Sequence, residues 1–365
     1  MKTYCKNLEP SIDLINVAYT KWAKGESGKK NEWRVYKEYE SPENLKEEIL
    51  KEWVNRTLKC REIKYYPRKD PSNGKLRIIA VESVKQQIID YLFIECVSPL
   101  LEAKRGFYQI ASVKKKGQVF GRRRIAPWVN KCHYAIKSDV SKCYESVDHE
   151  LVMILLGKYV KNYTVLYLAE YILSTYRCGL NIGSYFSLCI MTFILSFAYH
   201  FLEDLHKERR GERINLILHQ VWHMDDVILF GNNKKSLKKA MEILQKYCLI
   251  ELGLSLKKCK VLNLLKESVT LCGYTFSKWK VTVSNGTFLR AKRAFNRFLR
   301  KRSIKLARRV CSYYGWFKHA NCRVFMEIHG VWKALCLARK LISKRGKQNG
   351  SNNGKTPTSY RRCAA

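Results

Sequence analysis

The stretch Val221-Trp222-His223-Met224-Asp225-Asp226-Val227-Ile228-Leu229-Phe230-Gly231 decides how this chain is interpreted. Two adjacent carboxylates separate two short apolar runs, a pattern that predicts a β-hairpin with the acid pair at its tight turn. Carboxylates held side by side raise each other's pKa unless a cation neutralises them. A divalent metal such as Mg²⁺, which prefers carboxylate oxygens, would do so. For the stretch in isolation, a solvated Asp-Asp turn is the more common alternative.

The chain carries a large excess of positive charge. Its 365 residues include 69 Lys and Arg against 31 Asp and Glu, which gives a formal net charge of +38. An apolar fraction of 46% and 22 tyrosines are nevertheless typical of a folded protein. Self-repulsion of this size opposes compaction unless a polyanion neutralises it. Nucleic acid is the first candidate for that polyanion, and an anionic membrane surface is the second.

The sequence disfavours membrane insertion and disulfide bonding. The longest apolar stretch, roughly residues 188–199, is too short for a membrane span and contains Thr192 and Ser196. The N-terminus lacks the apolar core of a signal peptide. The 14 cysteines are scattered without a C-x-x-C pair, so we expect reduced thiols in a cytoplasmic protein with no membrane partner.

Residues 62–81 predict a second hairpin, in which Asn73-Gly74 separates two β-favouring runs. Lys69, Lys75 and Arg77 crowd its tip, so the hairpin could close over an anionic group such as a triphosphate. A basic hairpin that is merely soluble is an equally good interpretation. The sequence alone does not choose between the two.

Residues 104–131 predict a basic loop region. Lysines and arginines alternate there with Phe107, Tyr108, Phe120 and Trp128. Basic groups contact phosphates and aromatic faces stack on bases, so this composition suits a nucleic-acid track. Core packing of the aromatic side chains is the alternative.

Residues 134–149 predict a strand that ends in Asp139, a turn, and a helix that begins near Asp148. An aspartate at the end of a strand can bind metal, although a turn or capping role is more common for a lone one. Residues 150–205 predict helices interrupted at 178–187. Gly179 and Gly183 in that interruption would let the backbone approach a ligand or template closely.

The sequence after the acid pair predicts helices alternating with short strands. We expect a helix over residues 235–249, a lysine-rich turn and strand over 252–260, and one strand over 269–276. Residues 288–342 predict basic helices able to grip a duplex backbone, followed by a disordered tail at 343–365.

Three aspartates stand out: Asp139 at a strand end, and Asp225 and Asp226 at a hairpin turn. In-line phosphoryl transfer to a 3′-hydroxyl uses two metals to hold the attacking and leaving oxygens. Two or three acids on neighbouring strands are the minimal ligand set for those metals. Arg77 and Lys69 would then neutralise the triphosphate.

The order of these motifs resembles that of the reverse transcriptase family over roughly residues 60–320. The matching motifs are the basic hairpin as the fingers motif, Asp139 to Tyr144, Gly183-x-x-x-Ser187, Met224-Asp225-Asp226, Leu252-Gly253-Leu254 with Lys257 to Lys260, and Leu271-Cys272-Gly273-Tyr274. The resemblance implies an α+β right-hand polymerase. Its parts would be an N-terminal helical extension at 1–55, fingers at 56–133, a palm at 134–284 with a helical insertion at 150–205, a thumb at 285–342 and a basic tail at 343–365.

The resemblance also implies the site residues. The metal ligands would be Asp139, Val140, Asp225 and Asp226, holding two Mg²⁺ ions, for which Mn²⁺ could substitute. The nucleotide-binding residues would be Lys69, Arg77, Tyr144, Ile182, Gly183, Ser187 and Lys257. Tyr144 falls where the family places a steric gate against the ribose 2′-hydroxyl, with a core tyrosine as the alternative. One of Lys257 to Lys260 would protonate the pyrophosphate leaving group.

The motif at residues 182–188 points to a subgroup. The family commonly has Gln-Gly-x-x-x-Ser-Pro where this chain has Ile182-Gly183-Ser184-Tyr185-Phe186-Ser187-Leu188. The aliphatic residue and the stretch at 312–321 are similar to reverse transcriptases of bacterial diversity-generating retroelements. Leu188 and His223 depart from the usual residues. Loss of an amide near the incoming nucleotide predicts lowered fidelity.

We therefore expect an RNA-directed DNA polymerase that makes cDNA in mutagenic retrohoming. Its partners would be an RNA template, a DNA or RNA primer, dNTPs and an accessory variability protein. The alternatives are a group II intron-like, retron or phage-defence reverse transcriptase, and a catalytically silent RNA-binding protein of the same fold.

Overall fold

The computed structural model describes residues 2–70 and 74–352, and of residues 345–352 the backbone alone. The helices are α1 Ile12–Lys24, α2 Glu26–Tyr39, α3 Pro42–Asn55, α4 Val84–Lys104, α5 Gln118–Lys131, α6 His149–Gly157, α7 Tyr163–Ser174, α8 Tyr185–Glu203, α9 Lys234–Leu252, α10 Asn285–Arg300, α11 Ile304–Phe317, α12 Arg323–Ile328 and α13 Val331–Asn352. The strands are β1 Lys64–Lys69, β2 Leu76–Val81, β3 Tyr134–Asp139, β4 His206–Arg209, β5 Glu212–Asn215, β6 His219–His223, β7 Asp226–Gly231, β8 Val261–Asn263, β9 Val269–Leu271, β10 Tyr274–Ser277 and β11 Lys280–Val283.

The described residues divide into two compact units. The first contains residues up to 114 together with 134–261, and the second contains residues 115–133 together with those from 262 onward. Neither boundary tests the expected fingers, palm and thumb limits, which remain predictions. Helix α13 extends into the tail predicted at 343–365, the rest of which lies outside the described residues.

The first unit is built around an antiparallel sheet in which β6 pairs with β7 and β7 pairs with β3. Strand β7 is buried along Val227–Gly231, because α9 packs against β3 and β7. Apolar side chains of α1, α3, α4, α7 and α8 join this sheet in one continuous core, which includes Trp22, Trp53, Phe93 and Phe186. The sheet edge that carries the aspartates is therefore held by a large buried core.

Local capping explains where several helices begin. The side chain of Ser41 accepts a hydrogen bond from the Asn44 amide, and Pro42 occupies the first turn of α3. Asp148 caps α6 in the same way through the Glu150 amide. The predicted helix start near residue 148 is thereby confirmed.

The predicted basic hairpin is present as β1 paired with β2. Gly74 adopts a φ of +73°, and its amide donates to the Asp70 carbonyl at 2.8 Å. Asn73 of the predicted turn lies outside the described residues.

Three local predictions are wrong. Residues 118–131, predicted as part of a basic loop region, form α5, whose Trp128 and Ile125 are buried. The lysine-rich stretch 252–260 contains no strand, because β8 begins only at Val261. Residues 269–276 form two strands instead of one, because the chain turns at Cys272 and Gly273, both at positive φ.

A further hairpin, β4 paired with β5, was not predicted. Its residues are mostly charged and exposed. They therefore lack the apolar alternation that marks a strand in sequence.

The second unit contains the three-stranded sheet β11-β10-β9, the helix α5 and the helices α10–α13. Its core includes Phe295, Phe298, Val310 and Phe317, and confirms the predicted helical character of residues 288–342. Arginines and lysines line the outer faces of these helices.

One described helix, α8, has the length and apolar composition needed to cross a membrane. Eleven of its residues, among them Phe186, Ile190, Ile194 and Tyr199, are buried in the core of the first unit. This burial is typical of the central helix of a folded domain.

Candidate active site

The three aspartates meet at one end of the central sheet. Asp139 is the last residue of β3 and pairs in register with Asp226, the first residue of β7. The amide of Val140 donates to the carbonyl of Asp225 at 2.9 Å. Residues paired in this way have Cβ atoms only about 5 Å apart. The predicted convergence of a strand end and a hairpin turn is confirmed.

The turn that carries Asp225 is strained. Met224 adopts a φ of +55°, in the left-handed region. This conformation costs a residue with a side chain about 1–2 kcal/mol. Strain of this kind is commonly found at functional sites, where the surrounding structure holds it in place.

Two lysines hold two of the carboxylates. The Lys137 ammonium lies 2.8 Å from Asp226 Oδ1, and the Lys257 ammonium donates to Asp139 Oδ2. The hydrogen bond to Asp139 raises the pKa of Lys257. Within residues 2–70 and 74–352, no group of three or more His, Cys, Asp or Glu side chains is placed to hold a metal ion.

Among the described residues, Asp225 is the one of the three aspartates without a lysine ion pair. Its side chain is exposed to the cleft, yet partial burial raises its pKa, and the charges of Asp226 and Asp139 raise it further. The charge of Arg77 acts in the opposite direction.

The chemistry of this donor set fits a divalent cation. Carboxylate oxygens are the ligands that Mg²⁺ and Mn²⁺ prefer. A bound cation would counteract the burial and the neighbouring carboxylate charges that raise the pKa of Asp225. Asp139 and Asp225 would hold it, with Asp226 adjacent. The lysines would then have to give up their carboxylate partners.

A cleft of about 360 Å³ opens in front of these aspartates. It is lined by Lys75, Leu76, Arg77, Asp139, Val140, Lys142, Cys143, Tyr144, Glu145, Ile182, Asp225 and Lys257. The acidic residues at the end of the sheet and the basic residues of β2 and its turn thus line the same cleft, together with Lys142 and Lys257. A site with this distribution suits a ligand that bridges a metal and a polyphosphate.

Most of the predicted nucleotide-binding residues line this cleft, namely Arg77, Tyr144, Ile182 and Lys257. Lys69 does not line it, and Lys75 on the opposite side of the hairpin does. Arg77 is held at the cleft by an ion pair with Asp70, at 3.2 Å between Nε and Oδ2.

Ser187 does not reach the cleft, so its predicted contact with a nucleotide is corrected. It lies in the first turn of α8 and is fully buried. Its amide donates to the side chain of Ser184 at 3.2 Å, which makes it part of the helix cap. Gly183 is exposed beside Ile182, with a φ of +111° that a residue with a side chain rarely adopts.

Tyr144 is held against the loop that contains Gly179. The Leu180 amide donates to the Tyr144 carbonyl at 2.8 Å, and a Cβ on Gly179 would lie 2.4 Å from that carbonyl oxygen. The ring is partly buried, which raises the pKa of its hydroxyl. The predicted aromatic residue therefore lines the cleft with a fixed backbone.

His223 ends β6 and pairs in register with Asp226. Burial lowers its pKa, although the charge of Asp226 acts the other way. Its ring is thus mostly neutral near pH 7, which agrees with the role of a space-filling neighbour.

The sequence reasoning missed Lys137, although a pattern could have found it. Alternate residues of a strand share one face, so Lys137 had to lie on the same face as Asp139. It also missed the buried acids Glu82 and Asp90, because acidic side chains are rarely buried in a core.

The comparison with protein families gives a clear result. The sequence model described as "Reverse transcriptase (RNA-dependent DNA polymerase)" matches residues 66–276, more than half of the chain. This chain belongs to the reverse transcriptase family, whose members use divalent metal ions. Its fold is accordingly the right-hand polymerase fold, as the motif order predicts.

Other comparisons add less. No curated protein sequence matches the chain. One similar solved structure is that of apo telomerase from Candida tropicalis, truncated from its C-terminal domain, with 17% sequence identity and a TM-score of 0.40. The match covers 61% of this chain and 54% of that one, so the chain spans about half the length of the telomerase structure.

Proposed function

We propose that this chain is an RNA-directed DNA polymerase that extends a primer on an RNA template. The observation that carries the proposal is the cleft in which Asp139 and Asp225 face Lys75 and Arg77. Acids for metal binding and cations for a triphosphate are thereby combined beside an aromatic side chain, Tyr144. The excess charge of +38 suits a nucleic-acid substrate.

The aspartates and the basic residues of the hairpin have separate roles in this proposal. Asp139, Asp225 and Asp226 would bind two Mg²⁺ ions, which supply Lewis-acid stabilisation of the attacking and leaving oxygens. Arg77 and Lys75 bind and orient the triphosphate.

Two further cleft residues, Lys257 and Tyr144, act on the nucleotide itself. Lys257 lines the cleft, and its ammonium group would hold a proton close to the leaving pyrophosphate. The ring of Tyr144 excludes a ribose 2′-hydroxyl by its position.

We further propose that the enzyme is error-prone and belongs to a bacterial diversity-generating retroelement. Ile182 lines the cleft where the family commonly has a glutamine, so its side chain offers no hydrogen bond to hold a base pair in register. The expected partners are an RNA template, a DNA or RNA primer, dNTPs and an accessory variability protein in the cytoplasm.

A catalytically silent RNA-binding protein is the second candidate. It is favoured by one observation: Asp139 and Asp226 are paired with lysines, and the described residues contain no ready group of three metal ligands. Primer extension distinguishes the two candidates.

The test is primer extension on an RNA template with dNTPs and Mg²⁺ or Mn²⁺, with wild type compared with Asp225→Ala and Asp226→Ala. The exposed Asp204 at the end of α8, replaced in Asp204→Ala, is the matched control. We expect activity in wild type and in the control, and a loss of at least about 100-fold in Asp225→Ala. Equal inactivity of wild type and Asp225→Ala, with RNA binding retained, would instead establish the silent protein.

The subgroup needs its own experiment. The cDNA made by the wild type would be sequenced beside that made by Ile182→Gln, which restores the common glutamine. We expect wild-type errors to concentrate opposite template adenines and to decrease in the variant. Uniformly low error in the wild type would exclude the retroelement assignment while leaving the polymerase proposal intact.

A further inference from the structure

A cluster of buried polar side chains lies behind the cleft, in the core of the first unit. Asp90 on α4 and Glu82 just before that helix are both buried, with Asn181 and Ser184 from the loop before α8. Buried acids are expensive unless they are paired and hydrogen-bonded. This cluster therefore requires an explanation that packing alone does not supply.

Ser184 is the centre of the hydrogen bonds in this cluster. Its hydroxyl donates to Asp90 Oδ2 at 2.6 Å and accepts from the Tyr176 hydroxyl at 2.9 Å. It also accepts from the Ser187 amide at 3.2 Å and so caps α8. The one proton and both lone pairs of this hydroxyl are thereby used.

Asp90 reinforces the same segment directly. Its Oδ2 atom also accepts from the Phe186 amide at 3.3 Å, so a single carboxylate oxygen holds the loop and the first turn of α8. The carboxyl of Glu82 and the side-chain amide of Gln86 also lie next to the Asp90 carboxyl. Burial and the charge of Asp90 raise the pKa of Glu82, so Glu82 keeps its proton and can donate it to Asp90.

The segment held in this way forms one wall of the cleft. Ile182 lines the cleft with Asp139, Tyr144 and Asp225, and lies two residues before Ser184. The Ala80 amide donates to the Ile182 carbonyl at 3.3 Å, which ties the wall to β2. The side chain of Ile182 has no polar atom, so its position depends on these backbone anchors.

We propose that Asp90 is a positioning residue for nucleotide binding, because through Ser184 it fixes the backbone of Ile182–Gly183 at the cleft. Asp90 itself is fully buried and touches no substrate. The inference rests on the proposed polymerase function, since it concerns the affinity of that same site for dNTPs. A wall free to move would bind the nucleotide less tightly and constrain the base pair less.

Four variants test this inference in steady-state primer extension at saturating template and primer. Ser184→Ala cuts the link, Asp90→Ala removes the anchor, and Asp90→Asn keeps an acceptor for Ser184 and an amide donor for Glu82. Ser196→Ala is the matched control, because Ser196 is a buried serine inside α8 whose hydroxyl donates to the Phe193 carbonyl of the same helix at 2.6 Å.

We expect Ser184→Ala and Asp90→Ala to raise the KM for dNTPs about five- to tenfold, with kcat changed less than about twofold. Asp90→Asn should remain within about twofold of wild type in KM, as a conservative rescue. Ser196→Ala should leave KM unchanged, which separates positioning of the cleft wall from the mere loss of a buried serine hydroxyl.

A wild-type KM in Ser184→Ala would overturn the inference, and this variant decides the matter if Asp90→Ala does not fold. Failure of Asp90→Asn to rescue a raised KM in Asp90→Ala would also count against it. Inactivity of the wild type would refute the polymerase proposal instead, so the two failures are distinguishable.

Discussion

Replacement of Gly179 by alanine tests how the backbone of Tyr144 is held. Gly179 has a φ of +56°, and a Cβ there would lie 2.4 Å from the Tyr144 carbonyl oxygen and 2.7 Å from that of Glu145. The closer contact is about 1 Å short of an ordinary van der Waals separation. Both neighbours are backbone atoms, so the two segments have to move apart.

The expected loss in the free energy of unfolding follows from a comparison with another glycine at positive φ. Gly253, at the end of α9, has a φ of +64°, and a Cβ there would meet no atom within 4 Å. Gly179→Ala and Gly253→Ala therefore share the left-handed cost of about 1–2 kcal/mol. The overlap should make Gly179→Ala destabilising by a further 1–3 kcal/mol or so.

The assay combines the free energy of unfolding with nucleotide selection. If Tyr144 excludes the 2′-hydroxyl, its displacement should lower the preference for dNTPs over rNTPs, measured as a ratio of kcat/KM values, by about tenfold in Gly179→Ala. Gly253→Ala should retain the wild-type ratio. Equal unfolding free energies for the two variants, together with unchanged selection, would refute the reasoning that the contact with Gly179 positions Tyr144.

Two further predictions concern the buried charges of the first unit. The pKa of Glu82 is raised well above its ordinary 4.5 by burial and by the charge of Asp90. The stability that protonated Glu82 contributes is therefore fully present below pH 4.5 and is lost as the pH rises through the folded-state pKa. In Glu82→Gln, where Asp90 and Tyr176 remain, the free energy of unfolding measured in urea should decrease less steeply with pH between about pH 5 and 7, by up to about 1.4 kcal/mol per pH unit. The same pH dependence in variant and wild type would count against a protonated Glu82. Lys85, buried and 2.7 Å from Glu52 Oε2, also pairs with Glu48. Lys85→Met should lower the free energy of unfolding by about 3 kcal/mol, because two acids lose their cation. Lys30→Met at the exposed pair with Glu26 should cost less than about 0.5 kcal/mol, and a similar loss in both would contradict this account.

The sequence by itself determined the elements that carry the chemistry. Short apolar runs on either side of Asp225-Asp226 have the length of buried strands, and an acid pair between them has room only at a turn. Asp139 at the end of another apolar run and the ordered motifs then placed the chain in its family. The local sequence pattern sufficed to predict these elements, because each of them buries one side or both sides against the core.

Only the tertiary structure decided which side chains meet. The partners Lys257 and Asp139 are 118 positions apart in sequence, and Ser184 and Asp90 are 94 apart. Such pairs depend on how helices and strands pack, and no local period encodes that. For the same reason Ser187, placed at the nucleotide by its motif, lies inside the helix cap, and the buried acids behind Ile182 became visible only once α4 and α8 were packed together.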